Sequence, residues 1–250
     1  MEEKMMPKIL VIPDIHLKYE MFDRAEKILE DGKADFAIQL GDMFDDWDMQ
    51  FATAYYQRTA ERAIEFQKKF PKTLWCMGNH DLGYYKPEYG RRETGHSKIM
   101  EQEMEKLLQE MRGSGIHQKI VHAVNTVVFS HAGITESWID RQKRLITYPA
   151  DGWVGVGDML RLANNAALDE LWLENSPIWA RPQNEQLKLW WPERYMQVVG
   201  HTPVKGITFD NNLLSTDVFS TYSYGAPIGD CRFAVVDTGK QEWSCIDEDI

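Results

Sequence analysis

The chain has 250 residues, 43% of them hydrophobic and 27% charged, with a formal net charge of −11. That length suits a single domain over residues 1–250 with a sizeable core, and the composition is that of a folded chain rather than a disordered one. The acidic balance argues against nucleic acid as a partner, because nucleic acid is held mainly by Lys and Arg that displace its counterions.

The first strand expected is Ile9-Leu10-Val11-Ile12, which runs into Pro13-Asp14-Ile15-His16. It is too short for a signal-peptide core, and no apolar run approaches the roughly 20 residues of a membrane helix. A cytoplasmic chain with no membrane partner is therefore expected. Cys76, Cys231 and Cys245 agree with that: they are odd in number, lack Cys-x-x-Cys spacing and read as buried thiols rather than a disulfide.

From Glu20 to Glu30, Met21, Ala25, Ile28 and Leu29 recur at helical spacing until Asp31-Gly32 breaks the pattern. Phe36 to Leu40 predicts a second strand, opening onto Gly41-Asp42-Met43-Phe44-Asp45. A longer helix is expected over 50–70, with Tyr55, Thr59, Ile64 and Phe66 facing inward. The run Thr73 to Met77 then stops at Gly78-Asn79-His80-Asp81, and Met100 to Met111 is again helical. Val127-Val128-Phe129 ends at Ser130-His131-Ala132-Gly133, and Val198-Val199 ends at Gly200-His201-Thr202-Pro203.

Between those last two strands, residues 151–157 are rich in Gly and helices are expected near Asp158 to Leu173 and Gln183 to Trp190. Beyond them, short β-prone runs are separated by turn sequences such as Asp210-Asn211-Asn212, as in antiparallel meanders. A largely parallel half followed by an antiparallel half predicts an α/β fold of two packed mixed β-sheets flanked by helices. Parallel strands with crossover helices place ligands at the carboxyl ends of the strands.

Five strand ends carry Asp, His or Asn. In an extended segment residues two apart share a side, so Asp14 and His16 can both reach one ion while Ile15 turns inward. Asp42 and Asp45 crowd carboxylates at a sharp turn, where a cation relieves their repulsion; alone they also suit a helix N-cap. His131 and His201 are flanked by small residues that let a ligand approach, although either alone reads more often as a hydrogen-bonded core or rim histidine. Five such ends on one edge predict a dinuclear metal site.

The ordered set Asp-x-His, Gly-Asp-x-x-Asp, Gly-Asn-His-Asp, His-Ala-Gly and Gly-His-Thr-Pro resembles the calcineurin-like metallophosphoesterase superfamily. Its last two forms are similar to the phosphoprotein-phosphatase branch, which includes symmetrical diadenosine-tetraphosphate hydrolases. The resemblance implies a four-layer α/β/β/α sandwich in which Asp14 and His16 bind one metal, Asp42 bridges both, and Asn79, His131 and His201 hold the second. Mn, Fe or Zn suits these N and O donors.

By the same resemblance, water acidified between two cations attacks a phosphorylated substrate in line. His80 faces the leaving-group oxygen and Asp45 orients its imidazole. Arg181 in Trp179-Ala180-Arg181 resembles a phosphate contact, and Asn79 lies beside the same oxygens. The chain departs from the branch at Asp45-Asp46-Trp47, where the family's phosphate-clamping Arg is missing; Pro203 it shares with that branch, whereas nucleases and phosphodiesterases of the family carry a second His there. The expected function is phosphomonoester hydrolysis, the alternatives being dinucleoside polyphosphate hydrolysis or a catalytically silent scaffold.

Overall fold

The structure is a computed structural model that describes residues 6–93, 95–146, 155–184 and 186–246. The first sheet takes β1 (Lys8–Ile12), β2 (Phe36–Gln39), β3 (Leu74–Cys76) and β4 (Gln118–Lys119) in parallel. The chain changes sheet at Ile120, and the second sheet begins with the antiparallel pair β5 (Val121–Val124) and β6 (Val127–Ser130). It continues with β7 (Met196–Val199), β8 (Thr208–Asp210) and β9 (Leu213–Ser215) in the order β5-β6-β7-β9-β8. β10 (Phe233–Asp237) and β11 (Glu242–Ile246) return to the first sheet, whose order is β11-β10-β1-β2-β3-β4.

The two sheets face each other and helices cover their outer faces, as the α/β reading expects. Strand alternation explains why the apolar runs are continuous. Ile9 and Val11 point between the sheets with Ile38, Phe129, Val198 and Val236. Leu10 and Ile12 point outward to α1 (Glu20–Glu30) and α2 (Thr53–Lys69), against Phe22, Phe66 and Trp75. Two short helices, α3 (Asn79–Gly83) and α4 (Pro87–Gly90), follow β3, and α5 (Glu101–Gly113) completes that layer. On the opposite side α6 (Glu136–Leu145) and α7 (Val156–Asn164) bury Trp138 and Met159 on the second sheet, and α8 (Leu168–Leu171) adds one turn.

Several expectations are corrected. Both sheets are mixed, as expected, but the chain does not divide into a parallel and an antiparallel half: β5 and β6 already pair antiparallel, and β9 pairs parallel to β7. In α2 the buried side is Tyr56, Thr59, Ala60, Ala63 and Phe66; Tyr55 is exposed and Ile64 only half-buried. No helix forms at 183–190 among the described residues. That backbone is spent on Ile134 and Glu136 instead: Glu136 N donates to Lys188 O at 2.9 Å and Trp190 N to Ile134 O at 2.8 Å. The helices expected near 158–173 are two: α7 ends at Asn164, whose side-chain amide bonds both backbone groups of Val121 at 3.1 and 3.0 Å, and one turn resumes as α8. Of the three thiols only Cys76 is fully buried, and the described residues hold no disulfide. Trp153 and residues 151–154 lie outside the described residues.

Candidate metal centre

The carboxyl ends of β1, β2, β3, β6 and β7 meet at one edge, and backbone hydrogen bonds lace their loops together. Ile15 N and His16 N donate to Asp42 O at 3.0 and 2.9 Å, and Gly200 N donates to His131 O at 2.8 Å. Close backbone approach is what the glycines supply. A Cβ on Gly41, which has φ +103°, would lie 2.4 Å from Gly78 N, and one on Gly78 would lie 2.0 Å from Asp42 Oδ1.

Two clusters result, and Asp42 belongs to both. Asp14, His16 and Asp42 each bring a ligand atom within 4.8 Å of the others, as do Asp42, His131 and His201. Asn79 joins the second cluster, its Oδ1 lying 3.0 Å from His131 Nε2. The route to His16 differs from the expected strand alternation. His16 and Leu17 are left-handed, at φ 44° and 64°, and this turn carries the imidazole back to within 3.9 Å of Asp14 and Asp42.

The donor set fits a cation. His131 Nδ1 is 3.0 Å from Leu40 O and donates to it, which leaves Nε2 a lone pair in the neutral ring. That Nε2 faces Asn79 Oδ1 at 3.0 Å, His201 Nδ1 at 3.1 Å and Asp42 Oδ2 at 3.2 Å. Four lone-pair atoms aimed at one point repel unless a proton or a metal ion sits among them. His201 Nε2 is buried with no hydrogen-bond partner. His16 is arranged like His131, with Nδ1 donating to Asp45 O at 2.8 Å and Nε2 turned to the carboxylates.

The electrostatics follow from crowding without water. Burial raises the Asp14 carboxyl well above its ordinary value, and the nearby Asp217 adds to it. Burial lowers the imidazoles of His16 and His201. Burial also works against a charged His131, yet Asp42 and Asp14 outweigh it and lift the ring to about 9. Asp42 is held far below the carboxylate range: burial pushes it up, and His131, His80 and His16 together pull it further down.

Beside this pair lies a cleft of about 260 Å³. Its walls include His16, Asp42, Asn79, His80, Arg181 and His201. His80 Nδ1 lies 3.2 Å from Asp45 Oδ2, so Nε2 is the nitrogen left for the cleft. Burial lowers the His80 ring, but Asp42 and Asp45 prevail and raise it to about 10. Asp45 is fully buried, and α2 begins at Thr53 behind Ala52 with no side-chain cap, so the N-cap alternative for the Asp42–Asp45 pair does not hold. Arg181 Nη1 lies 3.4 Å from both His201 O and Thr202 Oγ1.

All nine residues singled out from the sequence thus meet at this edge. The sequence reading missed the cleft-lining Trp47, Glu93, Ser220 and Thr221. It gave Asp81 no role, yet Asp81 accepts from Asp42 N, Met43 N and Gly78 N at 2.9, 3.0 and 3.1 Å. The fourth position of Gly-Asn-His-Asp was the available signal. A larger cavity of about 910 Å³ between Trp190, Leu213 and Lys143 contains none of the motif residues.

Residues 7–228 match the family model of calcineurin-like phosphoesterases. Among solved structures, one described as a cold-active protein tyrosine phosphatase aligns with 98% of this chain and 80% of its own, at 17% identity and a TM-score of 0.53. A hypothetical protein of Pyrococcus horikoshii aligns over 96% of this chain and 87% of its own, at 14% identity and a TM-score of 0.49. A metallophosphoesterase from Sphaerobacter thermophilus covers 96% and 88%, at 15% identity and a TM-score of 0.43. At such identity the first of these speaks for the fold alone. No curated protein matches the chain.

Proposed function

Because the chain belongs to the calcineurin-like phosphoesterase family, we propose that its paired Asp/His clusters hold two transition-metal ions and that the adjoining cleft hydrolyses phosphomonoesters. Asp14, His16 and Asp42 take one ion; Asp42, Asn79, His131 and His201 take the other. The observation that carries this reading is the convergence of Asn79 Oδ1, His201 Nδ1 and Asp42 Oδ2 on His131 Nε2 at 3.0 to 3.2 Å. Donors of N and O without thiolate suit Mn, Fe or Zn. When bound, such a pair supplies an acidified water and polarises the phosphoryl group.

The chain's own residues do the rest. His16 and His131 are locked in orientation by their Nδ1–H bonds to backbone carbonyls, so neither ring needs to reorganise to bind. Arg181 brings a guanidinium to the cleft from the side of His201, where it meets phosphoryl oxygens. Asn79 brings its amide to the same oxygens. His80 holds a proton toward the leaving alkoxide, and Asp45 stabilises the imidazolium until it is delivered.

Preference for monoesters is supported by the small cleft and by Pro203, which lines it and offers no further ligand atom. A second reading, cleavage of a nucleotide anhydride, draws on Trp47 and Trp179, which line the same cleft and offer stacking surfaces for a base. The experiment compares kcat/KM for p-nitrophenyl phosphate, bis-p-nitrophenyl phosphate, a dinucleoside tetraphosphate and single-stranded DNA at fixed Mn²⁺ and salt, before and after chelation. Metal-dependent turnover with the monoester preferred is expected. A clear preference for the bis-ester or DNA overturns the substrate assignment, and stoichiometric metal without any turnover identifies a silent scaffold.

A further inference from the structure

Asp45 serves two histidines at once, and two tyrosines hold it. Its backbone carbonyl accepts from His16 Nδ1 at 2.8 Å, and its Oδ2 takes His80 Nδ1 at 3.2 Å. The other oxygen, Oδ1, receives the hydroxyls of both Tyr56, at 2.9 Å, and Tyr84. Tyr56 reaches in from α2 and Tyr84 from the end of α3, so two separate helices converge on a single oxygen.

We propose that Tyr56 and Tyr84 are positioning residues for His80: by occupying Asp45 Oδ1 together they fix the rotation of the carboxylate and reserve Oδ2 for the imidazole. A carboxylate with no exposed surface must be hydrogen-bonded to remain charged, and hydroxyl donors from two directions leave its plane one orientation. The phenols stay protonated and donate, since burial and the charge of Asp45 raise both far above the ordinary tyrosine value. Each phenol is itself braced. Tyr56 stacks on Phe44 with ring centroids 6.1 Å apart, and Tyr84 lies against the His96 ring at 4.6 Å while its oxygen accepts from Ser97 N at 3.2 Å.

Phenylalanine at either position keeps the ring and removes only the hydroxyl donor to Asp45 Oδ1. Aromatic residues serving only the core would spread their hydroxyls over whatever acceptors lie near. These two share one oxygen of the group that orients His80.

This inference rests on the phosphoesterase reading, and the test separates the two. Tyr56→Phe, Tyr84→Phe and the double variant are loaded with Zn²⁺ and assayed on an alkyl phosphate, whose leaving group needs a proton, and on p-nitrophenyl phosphate, whose leaving group does not. Each single variant is expected to lose about tenfold in kcat on the alkyl phosphate, and the double variant about a hundredfold, with KM held within about twofold. The loss on p-nitrophenyl phosphate should be smaller, and the bound metal unchanged. Independently of turnover, the downfield NMR resonance of His80 Nδ1–H, identified by its absence in His80→Asn, should weaken in the variants through faster exchange with water.

Equal losses on both substrates, loss of the metals, or an unchanged His80 resonance in the double variant overturn the proposal. If the wild-type protein hydrolyses no phosphoester, the phosphoesterase reading fails, and the resonance alone then decides whether the tyrosines position His80. Should Tyr84→Phe not fold, Tyr56→Phe carries the same comparison.

Discussion

At the scale of single residues, the centre depends most on atoms that are missing. A Cβ on Gly78 would lie 2.0 Å from Asp42 Oδ1 and 2.5 Å from Asp42 N, in the space that lets His80 N donate to Oδ1 at 2.9 Å. Gly200 does the same for Asp14, where a Cβ would lie 2.0 Å from Oδ1 and His201 N donates to both carboxylate oxygens at 3.1 Å. Gly78→Ala must therefore displace the shared carboxylate. The expected result is loss of at least one of the two ions with the far-ultraviolet circular dichroism retained, measured as metal per chain by elemental analysis. Unchanged metal content would show that the Asp42 loop yields without cost.

At the scale of elements, the five-residue helix α3 is secured to the neighbouring loop by one side chain. Asp81, fully buried, accepts from Asp42 N, Met43 N and Gly78 N, and from Gln118 Nε2 at 3.1 Å. Four donors face it, so β2, β3 and the strand that leads to the second sheet are joined through a single carboxylate. Asp81→Ala leaves three backbone N–H groups buried without this partner. At roughly 1–3 kcal/mol for each, a loss of about 3–9 kcal/mol is expected, read as a fall in the urea midpoint at unchanged slope. Asp81→Asn keeps one acceptor oxygen and should lose less; equal losses would mean that space, not hydrogen bonding, is at stake. The bond from Gly78 N is local to the motif, whereas those from Asp42 N and Met43 N are invisible in sequence, because they depend on where two loops distant along the chain come to lie.

At the scale of the whole molecule, the candidate ligands come from both sheets. Asp14, His16, Asp42 and Asn79 follow strands of the first sheet, whereas His131 and His201 follow strands of the second. An ion held by Asp42, Asn79, His131 and His201 therefore ties the two layers together and binds only the folded chain. Free metal at 100 times its Kd is expected to stabilise by about 2.7 kcal/mol. For a chain of this size that is a rise in Tm of roughly 5–10 °C, reversed by chelation and seen by calorimetry. A Tm indifferent to both metal and chelator would sink the two-sheet bridge.

The sequence by itself determined the strand ends and their chemistry. A β-prone run that stops at Gly, Pro or Ser and is followed by Asp, Asn or His is a local pattern, so Asp14, Asp42, Asn79, His80, His131 and His201 were all legible without coordinates. The helix Glu20–Glu30 was legible to its boundaries, because its apolar spacing and its Asp31-Gly32 stop agree. What only the tertiary structure decided is whatever depends on partners far along the chain. The segment 183–190 carries spacing that suits a helix but gives its backbone to Ile134 and Glu136. β9 looks like the second arm of a hairpin and is one with β8, yet its other edge pairs parallel to β7. Tyr56 and Tyr84 look like any core aromatics until α2 and α3 bring both hydroxyls to one oxygen of Asp45. Local periodicity is written residue by residue, whereas the partner of a backbone amide or a phenol is chosen only when separate segments pack.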